Sequence, residues 1–175
     1  MKSFTGLGDV VVAYPETDQV ARLTHPRVWA FAGYCLSVKP AGNFGQPKDF
    51  DLDTLRRWHD HLMVVDYLEA KDDFLYRLFG PGIRAFAGFD MTGRCVSDLD
   101  SEVGRFLNRL YRKCISEQCL VYSEHGHVHA RRPCDWHRVI CPVRDGDRTF
   151  VVVCNYPIAK TEEYAKTLEQ RRAVC

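Results

Sequence analysis

The stretch from Asp73 to Gly93, DFLYRLFGPGIRAFAGFDMTG, sets the tightest bounds on the fold: an alternating segment runs into a Gly-Pro-Gly turn, a short apolar segment and a second glycine turn. Phe74, Tyr76 and Leu78 alternate with Leu75, Arg77 and Phe79, which predicts a strand with an apolar core side and a mixed outer side. The glycines supply backbone angles that residues with side chains resist, as tight strand-to-helix connections need. This is the chemistry of packing, not of catalysis.

The flanking sequence extends the pattern. Met63 to Glu69 reads as a strand that forms a hairpin with the one opening at Asp73, across the charged turn Lys71-Asp72-Asp73. Ile83 to Phe89 is expected as a short helix. From Ser101 a longer helix is predicted, because Val103, Phe106, Leu107, Leu110, Tyr111, Cys114 and Ile115 recur at helical spacing. Leu120 to Ala130, Trp136 to Pro142 and Thr149 to Tyr156 read as three further strands, the last two joined at Asp145-Gly146.

Before residue 50 the chain shows a possible strand at Asp9 to Tyr14 and a helix starting near Pro26 and ending before Pro40. That helix carries more apolar residues than one buried face requires, so Trp29, Phe31 and Tyr34 are candidates for a dimer interface. A Pro- and Gly-containing segment, 40 to 48, marks a domain edge. Asp51 or Asp53 caps a helix bearing Leu55, Trp58 and Leu62. Thr161-Glu162-Glu163 opens a charged C-terminal helix. The expected division is an N-terminal extension over 1–49, a domain over 50–157 and a flanking helix over 158–175.

Length suits one domain. A net charge of +1 with 27% charged residues gives neither a basic surface for nucleic acid nor an acidic tail. The N-terminus has too short an apolar run for a signal peptide or membrane span, which points to the cytoplasm. Eight cysteines without a C-x-x-C pair are expected chiefly as thiols serving as small hydrophobes.

The order of elements is α+β: a hairpin, helices and a three-strand meander in one antiparallel sheet. Its motifs resemble those of PAS domains, in particular the bacterial stand-alone PAS-like proteins. The resemblance spans roughly residues 50 to 157. It is carried by His61-Leu62-Met63 with Asp66, by Phe74, Tyr76-Arg77-Leu78 and Gly80, and by Gly88-Phe89-Asp90-Met91-Thr92-Gly93-Arg94. It implies a five-stranded antiparallel sheet with helices on one face, a small cavity beneath them and dimerisation through flanking helices. It also implies a sensory or docking role without catalysis, through a small molecule or an unidentified signalling partner.

Several residue groups invite chemistry. Tyr76 and Trp136 lie on strand faces suited to line a cavity, with Phe74 and Tyr111 as further pocket candidates. His125, His127 and His129 share one side of a strand, a spacing that brings imidazoles to one zinc or copper ion. The competing reading is the solvated side of an edge strand. Haem would need an inward histidine, for which His59, His61 and His137 are the candidates. Cys134 and His137 stand three apart and so point to opposite faces of a strand, a poor nucleophile-base pair. An alternative to the sensory reading is a small cavity-containing enzyme using Asp66 and His137 as an acid-base pair. No cofactor is evident from motifs.

Overall fold

The computed structural model describes residues 7–14, 25–51, 53–99, 101–127 and 134–159. The expected C-terminal helix lies outside them. Six strands form one open antiparallel sheet: β1 (Leu7–Ala13), β2 (Leu62–Leu68), β3 (Asp73–Phe79), β4 (Val121–His127), β5 (Cys134–Asp145) and β6 (Arg148–Ala159), in the spatial order β1-β4-β5-β6-β2-β3. The helices are α1 (Pro26–Val38), α2 (Pro81–Ala87) and α3 (Ser101–Ser116). The class is α+β, as the order of elements predicts. The five expected strands are joined by β1, which pairs with β4 instead of remaining a peripheral extension.

The two rims of the sheet are finished differently. At one, β1 lies against β4. At the other, the turn after α2 bonds to the outer side of β3: Tyr76 N–H donates to the Arg94 carbonyl at 3.0 Å and Gly93 N–H to the Tyr76 carbonyl at 2.8 Å.

Helices cover both faces of the sheet, not one. Against the first face α1 buries Val28, Phe31, Ala32 and Cys35, a stripe at i, i+3, i+4 and i+7 that lies along one side of a helix. These residues share a core with Leu55, Trp58, Val139, Val152 and Cys154. The second face packs beneath α2 and α3, where Met63, Val65, Phe74, Tyr76, Ile83, Tyr111, Trp136 and Ile140 form a separate core. The apolar excess of α1 is therefore largely spent within its own chain. Phe31 is fully buried, edge-on to Trp58 at 5.2 Å between centroids, and so is turned away from any dimer surface. Tyr34 is half-buried and donates its hydroxyl to the Asp49 carbonyl. Trp29 alone of the three is well exposed, at 43%.

The segment expected as a domain edge runs beside β5: Gly45 N–H donates to the Pro142 carbonyl at 2.8 Å, and Arg144 N–H returns to the Gly45 carbonyl at 3.2 Å. The residues after Asp51 form a 3-10 turn, Arg56–His61, rather than a regular helix. Asp51 still caps the approach to it, accepting from Thr54 N–H at 2.8 Å.

Alternation in β3 is not uniform. Its pairing with β2 shifts between Val64–Leu78 and Val65–Tyr76, leaving Arg77 as an extra residue. A bulge of this kind reverses the phase of the residues beyond it. Phe74, Tyr76 and Phe79 thus all reach the α2/α3 core, while Leu78 packs with the α1 core, a correction to strict period two. Gly80 ends the strand where a side chain has no room: a Cβ would stand 2.5 Å from the Asp60 carbonyl oxygen and 2.8 Å from that of Leu62.

Candidate functional site

The face beneath α2 and α3 contains the site. Along β5, Cys134, Trp136 and Ile140 point into that core, and period two sets Arg138 on the same side. Register places Ser123 of β4 opposite Arg138 on one side and Asn155 of β6 opposite it on the other. Residues directly opposed across a sheet share a face, with Cβ atoms roughly 5 Å apart. Ser123, Arg138 and Asn155 therefore make a polar row across three central strands, within an otherwise apolar surface.

All three are buried, Arg138 at 3% exposure. The guanidinium reaches His125, with Nη2 3.5 Å from the imidazole Nε2. Among the described residues its Nε and Nη1 have no hydrogen-bond partner, nor have the Ser123 hydroxyl, the Asn155 Oδ1 and the Tyr111 hydroxyl. Burial draws the guanidinium below its ordinary value, and the phenols of Tyr111 and Tyr76 oppose that shift. Burial likewise holds both phenols above theirs. Buried polar groups are normally paired, and each orphan costs about 1–3 kcal/mol, so several in one row single it out as the candidate site.

The four pocket candidates are brought together here. Phe74, Tyr76, Tyr111 and Trp136 belong to this one core, with Phe74 edge-on to Tyr111 at 5.3 Å. Arg138 itself escapes the sequence reading, although a cation in phase with Trp136 and Ile140 was its signal.

The histidine row divides. Because β1 covers the rim, β4 is an inner strand, and His125 is buried against the Phe106 ring at 5.4 Å instead of facing solvent. A guanidinium beside it opposes a bound cation. His129 lies outside the described residues. Among the described residues no group of three or more His, Cys, Asp or Glu side chains is placed to hold a metal ion.

The α1 face carries its own polar cluster, in which Tyr122, Glu124 and His137 are in mutual contact while the Tyr156 hydroxyl has no hydrogen-bond partner among the described residues. The Tyr122 hydroxyl donates to Glu124 and lies 3.0 Å from His137 Nδ1, itself 3.4 Å from Glu124 Oε1. Tyr156 is stacked between two imidazoles, His61 at 3.9 Å and His25 at 4.5 Å. His25 also caps α1, its Nδ1 accepting from Arg27 N–H at 3.2 Å and Val28 N–H at 3.4 Å. Burial, then the nearby His137, His61 and Arg27, hold His25 down to about 4, so the imidazole stays neutral and able to accept.

Neither of the two residue pairs considered for acid-base or nucleophilic chemistry is formed. Cys134 and His137 belong to opposite faces, as spacing predicts. Asp66 and His137 are both buried but far apart: Asp66 pairs with Phe150 and His137 with Tyr156, roughly 20 Å along β6. Asp66 is held by Arg77 Nε at 2.6 Å and Arg148 Nη2 at 2.6 Å. Of the other haem candidates, His61 belongs to the stack on the α1 face and His59 lies beside Asp60 at 3.5 Å.

Among the described residues no helix is long and apolar enough to cross a membrane. In comparisons with known proteins, no family model matches the chain, and no curated protein matches it.

Proposed function

We propose that this chain is a PAS-like sensory domain that binds a small molecule between its sheet and the α2/α3 layer and relays occupancy to a partner without catalysis. The observation that carries this reading is the row of unpartnered polar groups on Ser123, Arg138, Asn155 and Tyr111 inside an aromatic core. A hairpin, a helical insert and a three-strand meander in one antiparallel sheet support it, since the sequence resemblance implies that architecture. Relay runs through α1, which exposes Trp29, acting in a homodimer or on a signalling protein.

Native mass spectrometry of the untagged full chain tests the reading. A retained organic molecule, removed on denaturation, is the expected result. A chain carrying no added mass, and showing no change of melting temperature across a broad metabolite panel, overturns ligand sensing.

A further inference from the structure

We infer that the buried site on the α2/α3 face takes a small organic carboxylate, with Arg138 as its counter-charge. The inference deepens the sensory reading of that same site and rests on it.

A buried cation without an anionic partner is among the least favourable arrangements a core can contain, and native proteins keep such charges paired. The guanidinium cannot shed its proton as a lysine would, so burial alone does not resolve the problem. Its contact with His125 at 3.5 Å is at the limit of hydrogen bonding. Among the described residues no carboxylate contributes to the electrostatics at Arg138; the contributing neighbours are the phenols Tyr111 and Tyr76. An instructive contrast in the same chain is Asp66, a buried charge that is bracketed by two arginines. The fold therefore compensates one buried charge fully and leaves Arg138 with donors to spare.

The donor set defines the molecule that would satisfy the row. One guanidinium offers one positive charge and a planar array of N–H groups matched to a carboxylate. The Ser123 and Tyr111 hydroxyls supply further donors. The unpartnered Asn155 Oδ1 is an acceptor, which suits a ligand with a hydroxyl or amine near its carboxylate. The flanking rings of Phe74, Tyr76 and Tyr111 favour an apolar remainder. A phosphate, with more charge and more acceptors, asks for additional cations that this row does not contain.

The test uses the full chain, first refolded to strip any retained molecule, in thermal-shift and calorimetric titrations with sodium salts of acetate, lactate, benzoate and mandelate, and with inorganic phosphate. At least one carboxylate is expected to raise the melting temperature by roughly 5–10 °C at a hundredfold excess over its Kd, and Arg138→Met is expected to lose that response. Arg138→Met without ligand should melt at or above the wild-type temperature, because it removes an uncompensated charge; a purely structural arginine would instead leave a less stable protein. Wild type unmoved by every carboxylate, a response that survives in Arg138→Met, or phosphate binding in preference to all carboxylates each overturns the inference. A neutral or cationic molecule retained in native mass spectrometry overturns it too, while leaving the sensory reading standing.

Discussion

The two faces of one sheet satisfy buried polarity to different degrees. On the α1 face Tyr122, Glu124 and His137 bond to one another, and His25, Tyr156 and His61 stack. On the α2/α3 face Arg138, Ser123, Asn155 and Tyr111 retain unused hydrogen-bonding atoms. Ser123, Arg138 and Asn155 alternate along β4, β5 and β6 with Tyr122, Glu124, His137 and Tyr156: His137 serves one face and Arg138 the other. Period two thus sets the two polar groups back to back on one short segment, one facing each core.

The heaviest loss of stability should come from α1, if it belongs to the folded unit. Phe31→Ala empties a fully buried ring position between α1 and Trp58 and is expected to cost about 3–5 kcal/mol in urea unfolding. A loss below about 1 kcal/mol would show that α1 is a detachable flank and that only one face has a core.

A paired test removes one hydroxyl from each face. Tyr122→Phe deletes the group that donates to Glu124 and meets His137 and should cost about 1–3 kcal/mol. Ser123→Ala removes a hydroxyl that has no hydrogen-bond partner among the described residues and should change stability by less than about 0.5 kcal/mol. Equal costs would erase the distinction between the faces.

Acid should act through the α1 face. The folded His25 is held at about 4, against an ordinary value of 6.5. Below pH 6.5 the unfolded chain gains a proton that the folded chain refuses, so this contribution is complete above about pH 6.5 and is lost as pH falls toward 4. His61 is lowered too, first by burial, and acts in the same direction. Protonation also removes the acceptor that caps α1. His25→Asn keeps a capping oxygen without titrating, and its melting temperature should fall less between pH 6.5 and pH 4.5 than that of wild type. Identical slopes would clear His25 of the effect.

The mildest change concerns the outside of α1. Trp29→Ser should alter monomer stability by less than about 0.5 kcal/mol, since the ring is largely exposed. If α1 pairs copies of the chain, the same substitution shifts the sedimentation coefficient toward a monomer. A dimer that persists unchanged assigns the contact elsewhere.

Most elements were legible in the sequence because apolar periodicity is a local signal. The α3 stripe from Phe106 to Cys114 and the Asp145-Gly146 hairpin are of this kind. Features that were not legible depended on partners distant in sequence. Nothing in the string DFLYRLF announces that β2 skips Arg77, yet that skip sends Phe79 inward. His125 reads as a solvent-facing residue until β1 is known to cover β4. The aromatic pocket candidates could be named from their strand and helix positions. Arg138 could not be singled out, because an arginine in a strand is ordinary and only its unused donors among the described residues are informative.

The unlike rims of the sheet bear on how the chain behaves in company. An uncovered strand edge is a template on which another chain can add itself. The rim at β3 is occupied by the chain's own turn at residues 93–95, a local closure that forms once the hairpin and α2 are in place. The rim at β4 is occupied by β1, more than a hundred residues away in sequence. Loss of β1 by proteolysis would convert an inner strand into an adhesive one, and an equivalent strand from a neighbouring copy would satisfy the same hydrogen bonds. Removal of residues 7–13 is therefore expected to promote association between copies, read in sedimentation velocity.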